Sequence, residues 1–427
     1  MTSSERSHRH KKAPLVVLAT AGTLGDLWPV LALGKTLLQR GVRVRLSAPW
    51  SFLSHASKLG METCDCRPAV DMEHVQRFAS SWDHWEKVKT ERLHWGRPKA
   101  LDLSCRYHDL STAAEGADIF ISSSTQFLGN LVHEKTGIPS MTLAIAPPYA
   151  ARCTETQKAS KPLDDDGAKK IFHAVDGEPL VHILDHIREF RGSIGLPEEP
   201  DGPFFGNAPV IGAISRHFCE PDREKFPNIE FTGFWYHERP EWFGWQPDPL
   251  LERFIEKGDP PLVLTFSSQP LCNAASVLKV HARAAMLLQR KLVILSGWAG
   301  FQKDDIPAEC SEHVFVTGEL PHEWLFKRSA AVIQHGGIGT LAQTVRSGKP
   351  MLIEPYGNDQ FFNAGRAVKL GIGAAAHPHW TTPEALAGLL ENKVLCAAMS
   401  QRVLTLADTM LMDPGVEYAA DLVMARL

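Results

Sequence analysis

Ala331-Val332-Ile333-Gln334-His335-Gly336-Gly337-Ile338-Gly339-Thr340, followed after a short apolar run by Asn358-Asp359-Gln360, is the stretch that decides the fold. It reads as a strand over 331–334, a glycine turn, a helix over 340–346, a second strand over 351–354 and a polar loop. A strand that turns on glycines into a helix is the unit of a parallel α/β sheet. Such a turn leaves the first amides of the helix unpaired and converging, with about half a positive charge at that end. That is a place for a phosphate. His335 adds a polar ring beside it, and Asp359-Gln360 bring the acceptors and donors that sugar hydroxyls need. A phosphate cradle next to a sugar-binding pair points to a nucleotide-sugar.

The same rhythm recurs on both sides of this unit. Upstream, strands are expected over 262–266, 292–295 and 314–316, with a helix over 274–288. In the first half, a strand over 15–19 runs into Thr20-Ala21-Gly22-Thr23-Leu24-Gly25-Asp26, and a helix is expected from about 28 to 40. Strands over 42–47, 119–122 and 141–144 follow, with a helix near 127–135. Two doubly wound parallel sheets facing across a cleft are therefore expected. The divisions are a polar tail over 1–12, a first domain over 13–219, a linker over 220–259 rich in proline and tryptophan, a second domain over 260–404, and a last helix over 405–427 that returns to the first domain.

Composition narrows the classes. The chain has 427 residues, 44% hydrophobic and 22% charged, and a length that implies two domains. A net charge of −4, from 45 basic and 49 acidic residues, argues against a nucleic-acid footprint. No apolar run approaches the roughly 18 residues of a membrane span, and the basic start lacks the apolar core of a secretory signal. A cytoplasmic protein is expected. The eight cysteines include one close pair, Cys64-Asp65-Cys66, whose spacing suits neither a zinc site nor a redox motif. No metal is expected, and Asp164-Asp165-Asp166 reads as a solvated loop.

Asp26 follows the glycine-bearing turn at the first strand's carboxyl end, where open α/β sheets bind ligands. It suits a general base that takes the proton from an incoming hydroxyl. It equally suits an N-cap for a helix starting at Trp28. Ser267-Ser268 directly follow a strand and would contact a phosphate or simply turn the chain. Gly22 and Gly25 do not complete the G-x-G-x-x-G pattern of a dinucleotide fold, which disfavours a nicotinamide oxidoreductase. The insert over 71–97 carries Trp82, Trp85 and Trp95, either as core or as an aromatic wall for a bulky acceptor. Candidate acceptor contacts are Trp28, Trp82, Trp85 and Ser123.

Taken in order, Gly318-Glu319-Leu320-Pro321-His322, the glycine turn, and Pro355-Tyr356-Gly357-Asn358-Asp359-Gln360-Phe361-Phe362-Asn363-Ala364 resemble the donor-binding signature of family-1 glycosyltransferases. Gly22 to Pro29, Thr232-Gly233-Phe234-Trp235, Trp245-Gln246-Pro247 and Leu295-Ser296-Gly297-Trp298 are similar to the branch of sterol glucosyltransferases, glycopeptide-antibiotic glycosyltransferases and the rhamnolipid rhamnosyltransferase. The resemblance implies a GT-B fold and an inverting transfer without metal or cofactor. The co-substrate would be a UDP- or dTDP-sugar, and the acceptor the hydroxyl of a hydrophobic small molecule. It implies Asp26 as the base, and donor contacts from Ser267, Ser268, Trp298, Leu320, His335, Gly337, Ile338, Gly339, Thr340, Asp359 and Gln360. Two departures leave UDP and dTDP both open: Glu319 stands where plant members stack a tryptophan on the base, and Ser267-Ser268 replace the usual glycine-serine. A sugar-nucleotide epimerase or hydrolase, or a non-catalytic nucleotide-sugar-binding protein, are the alternatives.

Overall fold

The computed structural model describes residues 13–67, 103–147, 187–198, 208–224, 226–356, 359–376 and 382–427. The first sheet is built from β1 (Leu15–Ala19), α1 (Leu24–Gln39), β2 (Arg43–Ala48), α2 (Leu53–Ser57), β3 (Glu62–Asp65), α3 (Leu103–Ala114), β4 (Ile119–Ser123), α4 (Gly129–Thr136), β5 (Ser140–Ala144), β6 (Val210–Gly212) and β7 (Ile229–Phe231). The second follows with α5 (Pro249–Glu256), β8 (Leu262–Thr265), α6 (Ala274–Leu287), β9 (Leu292–Leu295), β10 (Val314–Thr317), α7 (His322–Lys327), β11 (Ala331–Gln334), α8 (Ile338–Arg346), β12 (Met351–Ile353), α9 (Gln360–Leu370) and β13 (Gly373–Ala375). The helices α10 (Pro383–Leu389), α11 (Ala397–Met410) and α12 (Gly415–Met424) complete the chain.

Among the described residues, the strand orders are β3-β2-β1-β4-β5-β6-β7 and β10-β9-β8-β11-β12-β13, and every pairing is parallel. Strands covered on both faces read as unbroken apolar runs. On β1, Val16 and Leu18 pack toward α1, while Leu15, Val17 and Ala19 pack toward α3 and α4. Each sheet reverses winding direction once, between β1 and β4 and between β8 and β11. Crevices open beyond the carboxyl ends of strands at such points. The loops there are Thr20–Thr23 with Ser124–Leu128, and Phe266–Asn273 with His335–Gly337.

Three stretches differ from expectation. The helix after β1 begins at Leu24 and not at Trp28, because Thr23 caps it four residues earlier. The segment read as a linker supplies β7 to the first sheet, and α5, whose Leu251 and Ile255 are buried against the second. The passage between those two elements carries the chain from the first sheet to the second. The C-terminal stretch is two helices: α11 packs on α8, and α12 packs on α1 with Ala419, Ala420 and Val423 in the first domain's core. The return turn lies over the outward passage. A Cβ on Gly233, at φ +105°, would meet Asp413 Cβ at 2.5 Å.

The two sheets are joined by a continuous apolar cluster. Phe231, Phe234, Val210 and Ile214 pack with Leu341, Val345, Met351 and Met410. Arg366 Nε donates to Phe218 O at 2.8 Å across the same contact. The crossing between the domains is thus packed.

Candidate active site

At the first switch point the chain folds Asp26 back on its own loop. Gly22 has φ +102°, a region glycine enters freely, and a Cβ there would lie 2.3 Å from Asp26 Oδ2. Asp26 is the third residue of α1. Its Oδ2 accepts the Thr23 N–H at 2.7 Å and the Thr23 hydroxyl at 3.3 Å, while Thr23 Oγ1 accepts the Gly25 N–H at 3.2 Å. That is a capping box, so the N-cap is Thr23 and Asp26 is its reciprocal partner. Burial pushes the Asp26 carboxyl up to about 7; the Thr23 bonds oppose this and the charge of Asp359 adds to it.

At the second switch point Gly336 has φ +94°, and a Cβ there would strike Ile353 Cγ2 at 2.7 Å. Gly337 caps α8, which starts at Ile338, two residues earlier than expected. The amides of Ile338, Gly339 and Thr340 are therefore in the first turn, where no intrahelical acceptor exists. A Cβ on Gly337 would lie 2.4 Å from His335 Nε2, so the imidazole rests against this glycine. His335 is buried, its Nδ1 has no hydrogen-bond partner, and burial holds its pKa down to about 3. The ring is neutral and has one N–H to give.

Asp359 Oδ2 accepts from Asn363 Nδ2 at 2.8 Å, and the same nitrogen donates to Gly336 O at 2.9 Å. Burial raises the Asp359 carboxyl to about 6, against the pull of Asn363. Gln360 Oε1 accepts the Tyr356 N–H at 2.7 Å, and its Nε2 donates to Gln269 Oε1 at 2.9 Å. Gln360 thus braces the loop after β12 against the loop after β8. Gln269 was missed in the sequence, and Asn363 stood there within the donor signature without a role of its own. Asn363 had a signal, since it stands four residues after Asp359 on one helix face; Gln269 had none.

Ser267 adopts φ +48°, uncommon for a residue with a side chain. Its carbonyl accepts the Trp298 N–H at 2.8 Å, and a Cβ on Gly297 would come within 2.5 Å of that oxygen. Ser267 and Trp298 therefore lock the loops after β8 and β9 together. Leu320 is buried in the core beside Leu325 and Val332, so only its backbone is available to a ligand.

The acceptor candidates fare differently. Trp28 stacks on His237 with centroids 5.5 Å apart, meets His55 edge-on at 5.1 Å and carries Arg239 over its face at 4.3 Å. Its ring is occupied by the interdomain passage and is not an open wall. Ser123 is buried, 3.0 Å from Thr20 Oγ1 and 2.8 Å from Thr125 Oγ1, so its hydroxyl braces loops and does not face an acceptor. Trp82, Trp85, Trp95, Asn358 and the triplet Asp164-Asp165-Asp166 lie outside the described residues. Among the described residues no three His, Cys, Asp or Glu side chains cluster as a metal would require.

The two switch points meet. Ser268 Oγ donates to Thr23 Oγ1 at 3.3 Å, and Asp26 feels the charge of Asp359. The carboxylate of one domain and the loops that flank the glycine turn of the other thus come together at one junction.

Comparison with known proteins bears on this arrangement. The description "Glycosyltransferase family 28 N-terminal domain" matches residues 16–154, and "Erythromycin biosynthesis protein CIII-like, C-terminal domain" matches residues 301–424. Glycosyltransferase GtfE of Amycolatopsis orientalis is 29% identical over 422 residues, spanning 96% of this chain and 97% of that protein. A sterol 3-beta-glucosyltransferase of Debaryomyces hansenii is 25% identical over 452 residues, 96% of this chain but 27% of that longer protein. The crystal structure of the glycotransferase of kitacinnamycin superposes with a TM-score of 0.72 at 19% identity, covering 97% of this chain and 99% of that one.

The chain is a glycosyltransferase of the GT-B fold, similar to those of family 1. In the transferase, Glu319 is not an open replacement for a stacking aromatic. It pairs with Arg239 at 2.5 Å, and Arg239 in turn lies over Trp28 and, at 4.4 Å, Trp242. No single helix of the transferase among the described residues is long and apolar enough to cross a membrane.

Proposed function

We propose that the transferase moves a sugar from a UDP- or dTDP-sugar to a hydroxyl of a hydrophobic small molecule, with inversion and without a metal. The observation that carries this reading is the hydrogen-bonded path Asp26–Thr23–Ser268, which brings a carboxylate of one domain against the phosphate-side loops of the other. The name of the sterol 3-beta-glucosyltransferase relative supports the acceptor class.

The acceptor oxygen attacks the anomeric carbon, its proton passes to Asp26, and the bond from that carbon to the diphosphate oxygen breaks. The electron pair leaves with the diphosphate toward the first turn of α8. The unpaired amides there and the neutral His335 stabilise the growing charge, as fixed dipoles do best in a site that excludes water. Asp359 and Gln360 hold the sugar. A carboxyl raised to about 7 is matched to its task, because a base near the working pH combines availability with strength.

Asp26→Asn should lower kcat by about 10²-fold or more, the usual contribution of a positioned base, with donor affinity little changed. Wild-type turnover in that variant would remove the base assignment. A thermal-shift panel of UDP- and dTDP-sugars identifies the nucleotide by mass action, and an unchanged rate in a chelator tests independence from metal.

A further inference from the structure

Arg106, in the first turn of α3, is buried with 7% of its surface exposed, and it has no carboxylate partner among the described residues. Its Nε has no hydrogen-bond partner, and the guanidinium lies 5.5 Å from the Phe127 ring centroid. A buried arginine keeps its charge, and an uncompensated buried charge costs several kcal/mol. The nearby acid, Asp109, is already held by Arg67 at 2.9 and 2.7 Å. The remaining ionisable neighbour, Cys66, has its thiol pushed up to about 11 by burial and so supplies no negative charge near neutrality.

The loop after β4, which carries Phe127, also holds unmatched polar groups. Gln126, 1% exposed, donates Nε2 to Cys66 Sγ at 3.5 Å and leaves Oε1 without a partner. Exchanging the two ends of that amide would let the thiol donate to Oε1 and free the NH2 as a donor. Ser124 Oγ in the same loop is buried and unpartnered. Cys66 follows β3, and Ser124 to Phe127 follow β4, so the group sits at the carboxyl edge of the first sheet. Thr125 Oγ1 donates to Ala21 O at 2.8 Å, tying this loop to the one that carries Asp26.

We propose that Arg106, with Gln126 and Ser124, forms a carboxylate-recognition subsite in the acceptor half of the cleft. The inference rests on the transferase reading and adds to it: the acceptor carries a carboxylate at a point remote from its attacking hydroxyl. The guanidinium fork matches a planar carboxylate with two parallel bonds. The subsite selects the acceptor without touching the reacting atoms.

The test uses the full chain and two small probes, benzoate and its neutral isostere benzamide, with affinity read by calorimetry and thermal shift. Wild type should bind benzoate more tightly than benzamide. Arg106→Gln should weaken benzoate by roughly tenfold or more, the usual range for bonds to a charged group, and leave benzamide unmoved. His335→Ala should bind benzoate as wild type does. If Arg106→Gln does not fold, Arg106→Lys decides, since it keeps the charge but loses the fork and should bind benzoate more weakly than wild type. Equal binding of the two probes by wild type overturns the subsite, as does unchanged benzoate affinity in a folded Arg106 variant. Loss of benzoate binding in His335→Ala would place the anion in the donor site and also overturns it. A separate arm titrates UDP and dTDP. Absence of both shifts removes the transferase reading alone, and their presence without a benzoate effect removes the subsite alone.

Discussion

Asp26 and Asp359 are carboxyls of opposite domains, held at about 7 and about 6 by burial, and the second raises the first. Two interacting acids titrate as a pair, so the acid limb of the rate profile belongs to both. With Asp26 as the proposed base, turnover requires its ionised form, so kcat/KM should rise from low pH and level off above about 7. Asp359→Asn removes a negative neighbour, and the limb should move to lower pH in the residual activity of that variant. A limb that stays in place would mean the two carboxyls do not communicate. Stability follows the same groups with a definite sign. The folded state holds the Asp26 proton more tightly than the unfolded chain does, so stability falls as pH rises from the ordinary carboxyl range through about 7. Asp26→Asn should therefore melt above wild type at pH 8 and close to it at pH 4, although it has lost turnover. Equal melting points at pH 8 would argue that the carboxylate is well solvated.

Thr23 shows how one element end serves two purposes. Its hydroxyl caps α1, bonds Asp26 and accepts from Ser268 of the other domain. Thr23→Ala should cost about 1 kcal/mol in stability, the typical value of a lost N-cap. Because the Thr23 bonds hold the Asp26 carboxyl down, the acid limb should also move to higher pH. A variant that is destabilised but keeps its pH profile would make Thr23 a cap only. The capping box is legible as Thr23-x-x-Asp26, but the sequence reading offered Asp26 only as a base or as the cap itself. Some buried strands were legible for a physical reason: β1, β9 and β11 are apolar runs bounded by turns, and their limits coincide with expectation. The strands β3, β6, β7 and β13 are short and interrupted by glycine or charged residues, so no apolar run marks them. In the candidate site, the residues beside glycine turns could be read locally. The roles of Gln269 and Arg106 depend on what distant loops bring beside them, which spacing along one segment does not encode.

Among the contacts that join the domains, two differ in magnitude. Arg239 lies between Trp28 and Trp242 and pairs with Glu319, while an apolar cluster centred on Phe231 and Phe234 spans both sheets. A cation–π contact contributes about 0.5–2 kcal/mol, and an ion pair with an exposed partner about 0–1 kcal/mol. Removing a buried phenylalanine costs about 3–5 kcal/mol. The cluster therefore sets the domain orientation, and the arginine trims it. Large hydrophobic interdomain contacts restrict relative motion, so closure over a donor would involve sliding at this cluster more than swinging on a free linker. In scanning calorimetry, Arg239→Ala should lower the melting point by a few degrees at most and keep a single transition. Phe231→Ala, which empties a site exposed by only 1%, should lower it further and separate the unfolding of the two halves. A trace in which the arginine variant splits and the phenylalanine variant does not would show that the aromatic and ionic contacts hold the cleft together.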